Sequence, residues 1–391
     1  MWLKNHHDLK TLTKSLQLLF LFIFWLGFNL KGQDNTLFNP LKDRLIHFGR
    51  EFPNELLSSR SVVFVQVPPR PTVFNQRREW KPLAEYTHRA FRALDIDAIA
   101  YYYLDDLRAG FEAAKNYTDF LRQREVKNVI FLTAVKLPRD GGTKIHYSVT
   151  ILPFNGLPSL VDQEQVAWFE QDVTLEEVLR ELRRDILNSD LPISNNLIPE
   201  FPEFFTTANI IEGNRFEIYN SDLRIDKLGV PLFQKIKMPS SYSSNDNNHK
   251  TIKYIEQFNL EVEVKNQRLE DIMKGYPFEY YFIESGDGEM EVEKRGYQYI
   301  LLDLHTTGTS IKEMLGYNMV EGETDYMTVI NKGGDISLKK IPINAPVVKY
   351  YVKQVLSDDV YLGSEWDADT NWEEALINYI EGLKARVSVR K

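Results

Sequence analysis

The sequence predicts a mixed α/β protein made of two tandem, related modules, and three observations predict this fold class. Short β-branched and aromatic runs alternate with stretches in which apolar residues recur at helical spacing. The order of these elements in the first half of the chain returns in much of the second half. The composition, with 43% hydrophobic and 26% charged residues, is that of a globular protein rather than a disordered chain.

The first module, 61–190, is predicted to run strand, helix, strand, helix, strand, strand, helix. Apolar residues at three- and four-residue spacing predict the helices. Helical connections predict that the first three strands are parallel, because such crossovers return the chain in the same direction. A Gly-Gly turn predicts that the fourth strand is antiparallel to the third. The predicted strands are Ser61–Val67, Ala98–Leu104, Val129–Val135 and Ile145–Leu152.

The second module, 214–391, repeats this order with two differences: its second helix is predicted to be short or lost, and a long insertion covers roughly Thr306 to Ala345. Both modules end in a helix that starts with a capping-box pattern, Thr174 with Glu177 and Asn371 with Glu374. Capping boxes are common, so chance recurrence is the alternative. The predicted strands are Leu232–Met238, Phe278–Ile283, Tyr299–Leu304 and Pro346–Leu356.

Residues 1–32 have the pattern of a secretory signal peptide. A polar start with three lysines precedes the apolar run Leu18–Phe28, which is shorter than the roughly 20 residues of a membrane span. An uncleaved anchor is the alternative. No cysteine follows the run, so a bacterial lipid anchor is not expected. We predict a periplasmic protein, and peripheral association with the outer membrane is left open. A lead-in, 33–60, precedes the first module, and a proline-containing linker, 191–213, separates the modules.

The charge and the missing motifs exclude several classes of function. A net charge of −9 argues against nucleic acid as a partner, since phosphate contacts need clustered Lys and Arg. The chain has no cysteine, so thiolate zinc sites and thiol nucleophiles are impossible. It also has no phosphate-binding loop, no dinucleotide-binding glycine motif and no serine-hydrolase elbow. We therefore expect no cofactor and lean against an enzyme.

Asp303 and His305 form the most site-like stretch, where a predicted strand ends before a glycine-containing loop. Ligands of open α/β sheets gather at the carboxyl ends of strands. Residues two apart on a strand point to the same face, so the aspartate could orient the imidazole for acid–base catalysis. The alternative is that both side chains only bond loop amides or each other.

Asp105 and Asp106 end the matching strand of the first module. Paired carboxylates can bind a hard cation, which makes them the candidate metal ligands of this sequence. The alternative, which the sequence favours, is that they cap the following helix near Leu107 and interact with its dipole.

The loop from Pro68 to Trp80 is the candidate contact surface, with Arg70, Arg77, Arg78 and Trp80 as its binding residues. Arginine and tryptophan are enriched in the residues that dominate interface energies. The alternative is a solvated crossover loop in which Trp80 begins the apolar stripe of the next helix.

The arrangement resembles the small α/β modules of periplasmic accessory proteins, a likeness of architecture that implies no functional residue. We predict an exported, non-catalytic binding protein that acts as an accessory or scaffold subunit of a bacterial envelope complex, with protein partners there. The alternatives are a periplasmic hydrolase and a small-ligand-binding protein, either with its site near Asp303 and His305.

Overall fold

A computed structural model of the chain shows a mixed α/β protein with two mixed sheets flanked by helices. The predicted signal peptide, 1–32, and Arg70 lie outside the described residues. Among the helices that are described, none is long and apolar enough to cross a membrane. The structure describes residues 47–68, 76–139, 142–160, 165–195, 197–205, 210–238, 249–284, 288–332 and 335–387.

The first half of the chain forms a seven-stranded sheet in the order β1-β6-β5-β4-β2-β3-β7. Strands β2, β3 and β4 are parallel, and β5 is antiparallel to β4, as the sequence predicts. The elements are β1 (His47–Gly49), β2 (Arg60–Gln66), α1 (Gln76–Arg92), β3 (Asp97–Tyr103), α2 (Leu104–Leu107), α3 (Phe111–Gln123), β4 (Val126–Arg139), β5 (Gly142–Pro153), β6 (Val166–Asp172), α4 (Leu175–Leu187) and β7 (Glu203–Phe204).

The second half forms a six-stranded sheet in the order β10-β9-β11-β14-β15-β8, together with the two-stranded ribbon β12-β13. Two 3₁₀ turns, Ser221–Arg224 and Glu365–Asp367, also belong to this half. The elements are β8 (Arg215–Phe216), β9 (Leu228–Pro231), α5 (His249–Met273), β10 (Tyr280–Ile283), α6 (Gly288–Lys294), β11 (Tyr299–Thr307), α7 (Gly308–Leu315), β12 (Asp325–Lys332), β13 (Asp335–Pro342), β14 (Pro346–Gln354), β15 (Val360–Tyr361) and α8 (Trp372–Val387).

Apart from β7, which has no counterpart, the strands of the first sheet have the same order as those of the second. Read from β1, the first sheet runs β1-β6-β5-β4-β2-β3, and read from β8, the second runs β8-β15-β14-β11-β9-β10. Each neighbouring pair has the same sense in both sheets, with the two antiparallel pairs at matching places. The second half differs by α7 and the ribbon, which lie between β11 and β14, where the first half passes directly from β4 to β5.

Apolar burial arranges the elements in layers. Helices α1 and α4 cover one face of the first sheet, and α5 and α8 cover one face of the second. The remaining faces share one core, to which α3, α6 and α7 all contribute. The two halves are therefore joined through a common apolar layer, whose burial is the main favourable term in their association.

A buried ion cluster crosses this shared layer. Lys353 Nζ of β14 lies 2.8 Å from Glu112 of α3 and 2.9 Å from Glu289 of α6. The hydroxyl of Tyr351 donates to Glu112 at 2.6 Å, and Lys115 of α3 pairs with Glu289 at 2.8 Å. Each carboxylate thus has a cation and further polar contacts, which buried charges require.

One strand prediction is wrong, and several strands are missed. Residues 232–238 are not a strand, because β9 ends at Pro231. Their backbone is held by side chains of α5: Asn266 both donates to and accepts from Phe233, and Asn259 does the same with Ile236. The longest missed strand of the first half is β6, whose run VAWFEQD pairs antiparallel with β5.

The capping boxes form only in part. Thr174 accepts a hydrogen bond from the backbone of Glu177 at 3.3 Å, but its own N–H donates to Asp172. In the second half, the side chain of Asn371 accepts from the backbone of Glu373, and its N–H donates to Asp369. The aspartate two residues before the cap takes the reciprocal role in both halves. The same local turn therefore begins both α4 and α8.

Candidate functional sites

Asp303 and His305 lie on one face of β11, as predicted. They share this face with Leu301, and their cross-strand partners are Tyr350 and Val348. These neighbours belong to the core between the second sheet and helices α5 and α8. Both side chains are buried, and neither Asp303 Oδ2 nor His305 Nε2 has a hydrogen-bond partner within the described structure.

Burial shifts both titrations toward the neutral form. It raises the pKa of Asp303 to about 7. Burial, together with a smaller effect of the charge of Lys265, lowers the pKa of His305 to about 4. Removal from water disfavours the charged form in each case, so the carboxyl rises and the imidazole falls. A neutral imidazole beside a carboxyl that is only partly ionised at neutral pH differs from the ionised aspartate and imidazole base that the sequence hypothesis assumed.

The crevice at the end of β11 is filled by the first half of the protein. Strand β9 pairs with β11 at Tyr299 and Ile300, so β9 does not cover the later part of β11 on that side. There the N–H of His305 donates to the carbonyl of Ala109. A Cβ on Gly110 would overlap the carbonyl oxygen of Asp303, so this approach of the two halves needs a glycine. The chain's own backbone thus occupies the place where open α/β sheets bind ligands.

Asp105 and Asp106 lie within the short helix α2 rather than before it. The side-chain amide of Gln66 donates to Asp105 at 3.5 Å, and the hydroxyl of Thr306 donates to Asp106 at 3.4 Å. Over the part of the chain that is described, no three His, Asp or Glu side chains converge as a metal site would require. Within the described residues, Asp105 and Asp106 therefore have no third side chain with which to bind a metal ion.

Trp80, one of the predicted binding residues of the contact loop, is buried. Trp80 is 3% exposed and belongs to the core of the first half. Its ring stacks on Tyr103 with the centroids 6.3 Å apart and meets Phe204 edge-on at 5.5 Å. The prediction that Trp80 is an exposed binding residue is therefore wrong. Burying the indole against other rings removes far more apolar surface from water than leaving it on an exposed loop would. The side chains of Arg77 and Arg78, like Arg70, lie outside the description, and their role stays a prediction.

The ribbon β12-β13 has one packed face and one exposed face. Tyr326, Thr328 and Ile341 point inward and are buried. The opposite face carries Ile336 and Leu338, which are 72% and 67% exposed. Cross-strand register places Val329 opposite Leu338 and Met327 opposite Lys340 on that same outer face. We call this set of five side chains (Met327, Val329, Ile336, Leu338 and Lys340) the ribbon face.

The ribbon is fixed to the body of the second half from its inner face. The hydroxyl of Tyr326 donates to the carbonyl of Glu365, and that of Thr328 donates to the carbonyl of Ala368. Lys339 Nζ lies 2.7 Å from buried Asp369. A two-stranded ribbon alone is at best marginally stable, so these contacts are what hold the ribbon face in place.

A second polar cluster lies beneath a surface groove of the second half and was missed at the sequence level. Lys349 of β14 is fully buried, with its Nζ 2.6 Å from Asp367. Asp367 also accepts a hydrogen bond from the hydroxyl of Tyr219 at 3.1 Å. The lysine occurs in a β-strand run, and its partners are 18 and 130 residues away, so no local pattern indicates the cluster. Burial lowers the pKa of Lys349, and Asp367 opposes that shift.

Comparison with protein families, with curated proteins and with solved structures found no match for this chain.

Proposed function

We propose that this protein is an exported, non-catalytic binding protein, an accessory or scaffold subunit of a bacterial envelope complex that works in the periplasm. The observation that carries the proposal is the ribbon face, where apolar side chains are held outward on a ribbon that the rest of the fold fixes. Contiguous exposed apolar surface of this kind marks interaction sites in soluble proteins. The signal-peptide pattern of residues 1–32 supports export.

The partner that fits this surface is a protein whose contact area is apolar at its centre and acidic at one side. Val329, Ile336 and Leu338 supply the apolar centre, and Lys340 is the charged side chain among the described members of the ribbon face. Charge complementarity at the rim would set orientation and association rate, while apolar burial would supply most of the affinity.

We also propose that the two halves are copies of one module. The shared strand order, the shared pairing senses and the same aspartate-capped turn before α4 and α8 support this. In this view α7 and the ribbon were added to the second copy alone. The ribbon face would then be a feature gained after the duplication, which fits a role in function rather than in folding.

The test is affinity purification of the tagged protein from gently solubilised envelopes, comparing Ile336→Ser/Leu338→Ser with the native chain. We expect a stoichiometric envelope protein to accompany the native chain. Its recovery should fall about tenfold or more in the double variant, because burying each large apolar side chain contributes about 1.5–3 kcal/mol and about 1.4 kcal/mol is a tenfold change in affinity. Lys340→Glu should weaken recovery as well.

The matched control is Leu187→Ser/Ile193→Ser, which removes apolar side chains that are 70% and 64% exposed in the first half. This variant should retain the partner. Equal recovery with both double variants, or a native protein that is purified alone from the periplasmic fraction, would contradict the proposal.

The rival function is a periplasmic hydrolase or small-ligand-binding protein that uses Asp303 and His305. One observation favours it: the same face of the matching strand β4 carries Ile130 and Leu132, so the fold does not require polar residues there. Under our proposal, His305→Gln should keep partner recovery at the native level. A folded His305→Gln variant that loses the partner or a measured activity would move the function to this pair.

A further inference from the structure

The outer edge of strand β13 has no partner among the described strands. The ribbon β12-β13 is a separate two-stranded sheet, in which β12 packs on the 3₁₀ turn Glu365–Asp367 and on α8. Strand β13 therefore lies on the outer side of the ribbon. An unpaired strand edge offers a row of N–H and C=O groups to another chain. This edge lies in the plane of the ribbon, so it is distinct from the ribbon face, which points out of that plane.

The hydrogen bonds of the ribbon show which backbone groups point to this edge. Pro342 has no N–H and lies opposite Asp325. The N–H of the next residue, Ile343, donates to the carbonyl of Thr324 at 2.8 Å. Hydrogen-bonded and non-hydrogen-bonded residues alternate in an antiparallel pair, so the odd-numbered residues of β13 bond to β12. Its even-numbered residues point their N–H and C=O groups away from β12, and no hydrogen bond within the described structure uses these groups. They are Ile336, Leu338 and Lys340.

The end of the ribbon is exposed on both sides. Ile336 and Leu338 are exposed on the ribbon face. Asp335 and Ser337 point to the opposite side and are exposed as well. No described element therefore covers this part of β13 from either side. A second strand can approach the edge without displacing packed side chains.

The sequence of β13 is complementary to itself when two copies pair antiparallel about Ser337. In this register Ile336 lies opposite Leu338 of the second copy, and Leu338 lies opposite Ile336. Residues that lie directly opposite each other in an antiparallel pair share a face, and apolar pairs of this kind stabilise sheets. Both pairs are pairs of even-numbered residues, whose backbone groups point to the edge, so they are also the pairs that exchange hydrogen bonds.

The charges agree with the same register. Asp335 of each copy lies opposite Lys339 of the other. The ammonium group of Lys339 already pairs with Asp369, and its side chain is 38% exposed, so it can share a second carboxylate. A shift of two residues in either direction would place Asp335 opposite Ser337 or Ile341, neither of which is a cation. The pairing about Ser337 is thus the register that matches both the apolar and the charged residues.

We propose that two copies of this protein form a dimer in which their β13 edges pair antiparallel about Ser337. About four hydrogen bonds join the backbones of Ile336 and Leu338 across the contact. Both copies use the same edge, so the contact is closed and does not grow into a filament. The dimer places two ribbon faces side by side on one continuous ribbon. It does not require the protein partner proposed above.

The first test places one cysteine in the contact, since the native chain has none. Ser337 lies opposite itself in a non-hydrogen-bonded pair, where Cα atoms are about 4.5 Å apart and a disulfide can form. With oxidised glutathione as the oxidant, the full-length Ser337→Cys variant should form at least about tenfold more covalent dimer than Asp335→Cys. That control position is also exposed, but its two copies would lie about 14 Å apart, too far for a disulfide.

The second test measures the dimer without a cross-link, by sedimentation velocity of the full chain. The contact is smaller than the roughly 1,200–2,000 Å² of stable interfaces, so we expect a Kd of about 10–100 µM. Leu338→Pro removes an N–H that points to the edge, whereas Leu338→Ala removes the same side chain and keeps the N–H. The proline variant should dimerise about tenfold more weakly than the alanine variant, because two hydrogen bonds are lost per dimer.

Three results would overturn the proposal. They are equal covalent dimer from Ser337→Cys and Asp335→Cys, a native chain that stays monomeric up to about 500 µM, and equal dimerisation of Leu338→Pro and Leu338→Ala. A Ser337→Cys variant that cross-links in cells to another envelope protein instead of to itself would also overturn it and would assign the edge to that protein. Recovery of the envelope partner is a separate readout, so the dimer and the proposed function can fail independently.

Discussion

Replacing Lys353 with methionine should lower the free energy of unfolding by about 3–5 kcal/mol, since it removes the cation from a buried ion cluster. Glu112 lies 2.8 Å from the ammonium group and would remain in the shared core without a cation, whereas Glu289 would keep Lys115. Burial already raises the pKa of Glu112, against the attraction of Lys353, so the carboxylate depends on this partner to stay charged. Urea unfolding followed by circular dichroism measures the loss.

Two further variants separate this buried cluster from an ordinary surface pair. Lys353→Met/Glu112→Gln should recover part of the loss, since the double change removes the carboxylate left without a cation while keeping an acceptor for Tyr351. Lys274→Met breaks an exposed pair with Asp271 and should leave the stability nearly unchanged. A Lys353→Met variant as stable as Lys274→Met would show that the cluster contributes little to the joining of the halves.

Most of the first half could be predicted from its sequence because its strands are fully buried. Runs such as Ala98–Leu104 are apolar at nearly every position, and a strand covered by helices on both faces must read this way. Strand β6 escaped prediction because its run VAWFEQD mixes apolar, aromatic and acidic residues. It is stabilised by distant partners: Trp168 stacks on Phe52 and donates to Asp185.

Segment 232–238 shows the opposite error. Its alternating pattern predicts a strand, but its backbone hydrogen bonds go to Asn259 and Asn266 on α5. Asparagine side chains present both a donor and an acceptor, so they can replace a neighbouring strand at single residues. Nothing local in the segment distinguishes the two outcomes.

The candidate sites were only partly predictable, because their surroundings come from distant parts of the chain. A spacing of two residues on a strand was enough to place Asp303 and His305 on one face. Their burial depends on Ala109 and Gly110, almost 200 residues earlier in the chain, and on the helices above them. The ribbon face lies in the predicted insertion and was not predicted as a surface. An alternating pattern does not show which face of a strand is exposed until the packing of the other face is known.

Replacing Asp303 with asparagine should make the protein more stable at pH 8 by about 2–4 kcal/mol. Burial raises the pKa of Asp303 from 3.8 to about 7, so the folded protein keeps its proton while the unfolded chain loses it. A raised carboxyl pKa therefore lowers stability by about 1.4 kcal/mol per pH unit as the pH rises between these values. Asparagine does not titrate, so the variant escapes this loss.

His305 changes the stability in the opposite direction over much of the same pH range. The pH dependence of the Asp303→Asn variant should therefore differ clearly from that of the native chain. Its pKa falls from 6.5 to about 4, so its contribution to stability is lost as the pH drops through that window. In the native chain the two slopes largely cancel, whereas Asp303→Asn should expose the rising slope of His305 alone. The stability difference between variant and native chain should grow by about 3 kcal/mol from pH 4.5 to pH 8, measured by denaturant unfolding.

Asp190→Asn, at an exposed position, is the control and should follow the native profile. A difference that stays constant with pH would mean that Asp303 is already ionised in the folded protein and is therefore paired or hydrated, as a catalytic carboxylate would be.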